Sequence, residues 1–275
     1  MTRKDFADLI LQKIVESAPS IKEQYEGSKG KIGYFFVDDL LPSELAYQLY
    51  DVFPKPEEMV LKKSIREDKY IGVQMNQYNP ILEEVIYAFQ DKRIVEKICE
   101  ICEIKDAVPD DKLYAGGLSM MSHKQFLNPH LDNSHDKDRQ LWRVLNLLYY
   151  VTPDWKEEYG GNLELWPDGM RKPQITIHSK FNRLAVMATH SHSLHSVSPV
   201  VFQGNRCCVS NYYFSESPLT EEDTFHVTSF RARPENKTQD WILRADAWLR
   251  MNIRKVFKKG IKENPHVYKK EEKNK

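Results

Sequence analysis

Past about residue 113 the chain stops reading as helix and breaks into short apolar segments separated by turn residues. This change of period restricts the available folds more than any other feature of the sequence. The run 145–151 is apolar and aromatic apart from Asn146, which suits a strand buried on both faces. Pro153-Asp154 and Tyr159-Gly160-Gly161-Asn162 bracket a loop, a strand opens at 163–166, and Pro167-Asp168-Gly169 turns the chain again. Segments 175–177, 184–187, 196–201 and 207–214 complete the set. With no internal repeat, so many short strands predict a sandwich or jelly roll.

Helices are expected on either side of it. Phe6, Leu9, Ile10, Ile14 and Val15 form a helical stripe over 1–18. Pro19 then opens a mostly polar stretch to Lys31 with two glycines, which reads as a linker. Tyr34-Phe35-Phe36-Val37 makes a short strand, and Leu41-Pro42-Ser43-Glu44 starts a helix with Ser43 as its N-cap. Residues 55–80 are charged and read as an irregular surface connection, followed by helices at 81–89 and 94–104. Beyond residue 215 the pattern changes again. Segment 240–259 places Trp241, Leu243, Trp248 and Ile253 among basic residues as an amphipathic helix, and from Arg254 onward nine basic residues face three acidic ones.

Bulk properties exclude several roles. Forty basic and forty acidic residues cancel, so no overall field recruits nucleic acid. The first residues lack the apolar core of a signal peptide, and no apolar run could span a bilayer, so a cytoplasmic protein is expected. Cys99 and Cys102 form a CxxC within a helical pattern, and Cys207 and Cys208 are adjacent on a strand; all four read as packing residues.

The chemistry-bearing residues lie within the β-rich part. In Asn128-Pro129-His130-Leu131-Asp132, residues two apart point to one face of a strand, so His130 and Asp132 can reach one metal ion. His195, from a distant strand, would complete a two-histidine, one-carboxylate set with open positions on its far side. A lone HxD arises often by chance. Here an apolar strand and a Gly-Gly turn follow it, then a histidine with Val197 two and Pro199 four residues later. Gly204-Asn205-Arg206 comes next, its guanidinium fork suited to gripping a carboxylate. His190 and His192 compete with His195 on spacing alone.

The segments Tyr149-Tyr150-Val151-Thr152-Pro153-Asp154-Trp155, 160–169, Lys180-Phe181-Asn182-Arg183-Leu184 and 206–214 together resemble the prolyl 4-hydroxylase-like superfamily of Fe(II)- and 2-oxoglutarate-dependent dioxygenases, in its oxygen-sensing branch. The resemblance implies an α+β fold: a double-stranded β-helix (jelly roll) core over about 113–215, supporting N-terminal helices and a C-terminal helical extension. The implied division is an N-terminal helix and linker (1–29), a dioxygenase domain (30–215) and an extension (216–275). His130, Asp132 and His195 match the family's iron ligands, Arg206 and Tyr150 its anchors for 2-oxoglutarate, and Leu163 an apolar residue lining the co-substrate. His195, not His190 or His192, precedes valine and proline at the family's spacing, and His123 and His135 read as surface. The implied partners are dioxygen and a peptidyl proline or small organic substrate, with ascorbate as a further cofactor and succinate and CO2 as products. A retained Asp132 favours hydroxylation over halogenation. Arg143, Trp142, Trp155 and Trp166 are candidates for the entrance, and 55–77 and 153–159 for lids. The alternative from another class is a non-catalytic jelly-roll protein used for binding or assembly.

Overall fold

The computed structural model describes residues 1–256 and 267–269. Helix α1 (Arg3–Ser28) starts on a capping box, the Asp5 amide donating to Thr2 Oγ1 and the Thr2 amide to Asp5 Oδ2. It continues through the segment expected to be a linker. Pro19 sits on the exposed side, while Ile21 and Tyr25 extend the buried stripe of Phe6, Ile10 and Ile14. Burying such side chains, about 1.5–3 kcal/mol each, offsets the roughly 3 kcal/mol that an internal proline costs.

Strand β1 (Tyr34–Val37) leads to α2 (Ser43–Asp51). Ser43 is the first helical residue rather than the cap, because Asn182 clasps the chain just ahead of it. Asn182 Oδ1 accepts from the Leu41 amide and its Nδ2 donates to the Leu41 carbonyl, leaving Pro42 at the cap position. The charged stretch 55–80 is not irregular: it holds a hairpin of β2 (Val60–Lys63) and β3 (Glu67–Gly72). Only Gly72 of β3 is fully buried, so the strand lacks the apolar alternation that would mark it in sequence. Helices α3 (Pro80–Ala88) and α4 (Lys92–Ile101) are capped by Asn79 and Asp91 and pack with α1 against the sheet.

The remaining strands are β4 (Ala107–Pro109), β5 (Gly117–Met121), β6 (Phe126–Leu131), β7 (Trp142–Tyr150), β8 (Leu163–Leu165), β9 (Ile175–Ile177), β10 (Arg183–Ala188), β11 (His195–Val197), β12 (Arg206–Ser215) and β13 (Ser229–Phe230), with α5 (Lys237–Val256) after them. One row runs β1-β10-β7-β12-β5 and a second β6-β11-β8-β9, with β3 between them. Tyr70 to Gly72 pair with β5, while Glu67 and Asp68 pair with β6, so β3 joins the two rows. The result is a curled antiparallel jelly-roll core with five α-helices among the described residues. The main core lies between the helices and the first row; a second cluster of Tyr150, Leu163 and Cys208 sits inside the curl.

Residues after 215 are built into this core. Ser229 pairs with Leu131 and Phe230 with His130, while Leu243 of α5 is buried against Phe230 and Ala232. An Arg66–Asp246 ion pair and a 2.9 Å bond from Gln239 Nε2 to the Ile65 carbonyl tie α5 to the hairpin. Trp241 and Trp248 lie on the outer face of α5, 73% and 70% exposed, so the buried stripe runs through Leu243 rather than the tryptophans. The strongly basic tail expected beyond Arg254 falls largely outside the described residues. All four cysteines are free and buried. Among the described residues no helix is long and apolar enough to cross a membrane.

Candidate active site

Strand pairing brings the two distant histidines together. β6 and β11 are antiparallel neighbours with His130 opposite His195, and the two rings lie 4.2 Å apart. Asp132 follows β6, its Oδ1 3.5 Å from His130 Nε2 and its Oδ2 3.8 Å from His195 Nε2. One ligand atom from each of the three lies within 4.8 Å of the others, a separation at which they could hold one metal ion. His190 and His192 sit in the turn before β11, outside this cluster, and His192 is exposed.

The surroundings fit a cation. His130 Nδ1 lies 2.9 Å from the Asn128 carbonyl, and His195 Nδ1 2.9 Å from the Ser193 carbonyl. A carbonyl only accepts, so both Nδ1 atoms carry the proton and both Nε2 lone pairs face the centre. Burial pushes the His195 imidazole down to about 4, with His130 adding to the shift, so it stays neutral at pH 7. Burial alone would raise Asp132, but the guanidinium of Arg143 beside it outweighs burial and holds the carboxyl well below the usual range. Asp132 Oδ2 is buried without a hydrogen-bond partner among the described residues, although Arg143 Nη1 stands 3.4 Å away. A buried acceptor left open beside two lone pairs is what a metal ion would complete.

Around this centre is a cavity of about 650 Å³, within the range of small-molecule sites. Tyr150, Leu163 and Arg206 line it, each 3% exposed or less. The Arg206 guanidinium lies 5.6 Å from the Tyr150 ring centre, and its Nε has no acceptor among the described residues. The Gly-Gly turn seats this arginine. Both glycines have positive φ (75° and 69°), and a Cβ at Gly161 would stand 3.3 Å from Arg206 Cγ.

Of the four entrance candidates only Arg143 lines the cavity. Trp155 donates to the Gly160 carbonyl and Trp166 to Ser196 Oγ, while Trp142 packs on His135, so these three are structural. His135 is accordingly half-buried rather than on the surface. Of the two expected lids, 55–77 contributes cavity-lining residues through β2 and β3, and 153–159 does not. Two features escaped the sequence. Phe230 stacks on His130, rings 5.0 Å apart at 16°. Glu164, buried on β8, accepts from Ser196 Oγ at 2.6 Å and Arg233 Nη2 at 2.7 Å. A lone glutamate inside an apolar strand was the signal for the second; the first had none, because Phe230 lies in a polar stretch.

A jelly roll with a two-histidine, one-carboxylate face and a buried arginine beside it defines the class of non-haem metal oxygenases. Residues 116–214 match the model of the 2OG-Fe(II) oxygenase superfamily, so this part of the chain reads as a 2OG-Fe(II) oxygenase domain, a type that uses iron and 2-oxoglutarate. Solved structures share the fold. A prolyl 4-hydroxylase from Pseudomonas putida aligns with TM-score 0.52 at 16% identity, covering 72% of this chain and 100% of its own. A Trichoplax adhaerens prolyl hydroxylase, solved with a peptide fragment of hypoxia inducible factor, aligns with TM-score 0.51 at 17% identity, covering 74% of this chain and 92% of its own. A Phytophthora capsici prolyl 4-hydroxylase aligns with TM-score 0.50 at 16% identity, covering 91% and 77%. No curated protein matches the sequence.

Proposed function

We propose that His130, Asp132 and His195 bind the Fe(II), that Arg206 and Tyr150 hold the distal carboxylate of 2-oxoglutarate beside Leu163, and that the enzyme hydroxylates a C–H bond of a peptidyl proline or a small molecule. The observation that carries this reading is the convergence of three buried ligand atoms within 4.8 Å, with both imidazoles turned by backbone carbonyls. When bound, iron, 2-oxoglutarate and dioxygen supply the oxidising chemistry, with succinate and CO2 as products.

The chain's own residues prepare the place for it. The Asn128 and Ser193 carbonyls fix which nitrogen each histidine offers. Arg143 lies on the far side of Asp132, stacked 4.5 Å over the Tyr212 ring, and keeps the carboxylate ionised and oriented. Arg206 offers a buried, water-poor guanidinium to the co-substrate, and Leu163 packs its methylene chain. Residues 1–29 serve as a buttress, 30–215 as the catalytic domain and 216–275 as an extension that walls the site. Ascorbate is proposed as the reductant that keeps the metal ferrous. Four buried free thiols favour a reducing compartment, the cytoplasm.

Anaerobic addition of Fe(II) and 2-oxoglutarate should produce a weak visible charge-transfer band. Its absence in folded, metal-loaded protein would overturn the reading. A screen of cell extract for substrate-dependent succinate formation would then supply the substrate.

A further inference from the structure

The cavity lining carries seven lysine or arginine residues and two carboxylates. Two of the cations belong to the floor: Arg143 faces Asp132, and Arg206 lies by Tyr150. The other five come from the β2–β3 hairpin (Lys62, Arg66, Lys69) and from α5 (Arg250, Arg254). Lys69 pairs with Glu67 at 3.0 Å, and Arg66 and Arg250 share Asp246. Lys62 and Arg254 form no ion pair among the described residues, although the charge of Lys62 helps to lower Glu67, and Arg254 Nε is buried without an acceptor. Arg254 is also held beside a like charge. Its carbonyl accepts from Arg139 Nη2, and burial together with the Arg254 charge lowers the Arg139 guanidinium.

Excess cations on one rim, partly withdrawn from water, attract and hold an anion. The rim is built rather than incidental. Lys62 comes from the β2–β3 hairpin and Arg254 from α5, and the Arg66–Asp246 pair and the Gln239–Ile65 bond clamp these elements together. Arg250 Nη1 donates to the Thr228 carbonyl at 2.7 Å, fixing the same turn of α5 to the strand segment beside the metal face. The two charges of 2-oxoglutarate would be matched below, by the proposed metal and by Arg206, and would not call on the rim.

We propose that the substrate is anionic, with a phosphate or carboxylate seated between Lys62 and Arg254 while the bond to be oxidised points down toward His130, Asp132 and His195. This rests on Arg206 being the 2-oxoglutarate anchor. It narrows the substrate class to acidic molecules and gives the hairpin and the C-terminal extension a direct binding role.

The test is calorimetric titration of the metal-free full-length chain with glucose 6-phosphate and with glucuronate, glucose serving as the neutral control. At least one anionic probe should bind tenfold or more tightly than glucose, and which one does so separates phosphate from carboxylate. K62E/R254E should weaken that probe at least tenfold and leave 2-oxoglutarate binding to the Zn(II)-loaded chain within twofold. R206A should do the reverse. The proposal is overturned if neither probe exceeds glucose, if K62E/R254E binds the probe as the native chain does, or if R206A abolishes probe binding, which would place the anion in the co-substrate pocket. Absence of 2-oxoglutarate binding in the native Zn(II) chain would instead strike the reading of Arg206.

Discussion

Two backbone carbonyls, those of Asn128 and Ser193, decide which nitrogen each imidazole presents, so the side chains of the proposed metal face are turned before any ion arrives. Replacing His130 or Asp132 by alanine should abolish the charge-transfer band. His195→Ala should do the same and His192→Ala should leave the band intact; the opposite pattern would move the third ligand to His192. Arg206→Ala removes a buried charge-assisted contact worth about 1.5–3 kcal/mol. Its expected effect is a ten- to hundredfold weaker affinity for 2-oxoglutarate, measured by titrating the band, with iron affinity little changed. At this scale the sequence was informative where spacing carries chemistry: period two in a strand brought His130 and Asp132 to one face, and a Gly-x-Arg flagged Arg206. It was silent on Arg143 as the partner of Asp132, since that pairing depends on how β7 lies across the curl from β6.

Helices and strands were legible where burial is one-sided and obscure where it is not. The run 145–151 became β7, the strand between β10 and β12, because an unbroken apolar segment has nowhere else to go. Hairpin β2–β3 was missed for the opposite reason: its side chains are charged and half-exposed, and its pairing partners lie about fifty residues on. Sequence pattern alone ends helix α1 at Pro19 because proline is a strong local signal, whereas Ile21 and Tyr25 act only once the core exists. Pro19→Ala, at an exposed position with no hydrogen to donate, should therefore stabilise the protein by about 1–3 kcal/mol, read as a higher urea midpoint. A second element-level prediction concerns pH. Asp38, just after β1, receives Arg183 Nε at 2.6 Å, Arg183 Nη2 at 2.9 Å and Lys180 Nζ at 2.9 Å. Burial opposes ionisation there, but the two cations prevail and the carboxyl titrates below its usual value. A depressed acid stabilises the fold above its unfolded pKa, about 3.9, and loses that contribution as pH falls through the lower folded value. Asp38→Asn should cost about 1 kcal/mol at pH 7, allowing for solvent screening of this half-exposed group. In urea titrations the gap between variant and native chain should close below about pH 4.

Taken whole, the molecule keeps its site by closing the curl with two distant segments, the hairpin at 60–72 and the extension beyond 215. Leu243, fully buried against Phe230 and Ala232, is the apolar anchor of the second. Leu243→Ala should cost about 2–5 kcal/mol. The loss should appear in hydrogen exchange as unprotected amides along α5 while those of β7 and β12 keep their protection; uniform loss across the sheet would show that the extension is inseparable from the core. The clamp between Arg66 and Asp246 spans 180 residues of chain. During synthesis the proposed ligands have all emerged once His195 is made, yet the aromatic ring that covers His130 and the helix that walls the mouth come only later. Contacts so far apart in sequence form late in folding. In the order of synthesis, the proposed metal ligands are therefore complete before the residues that close the pocket around them exist.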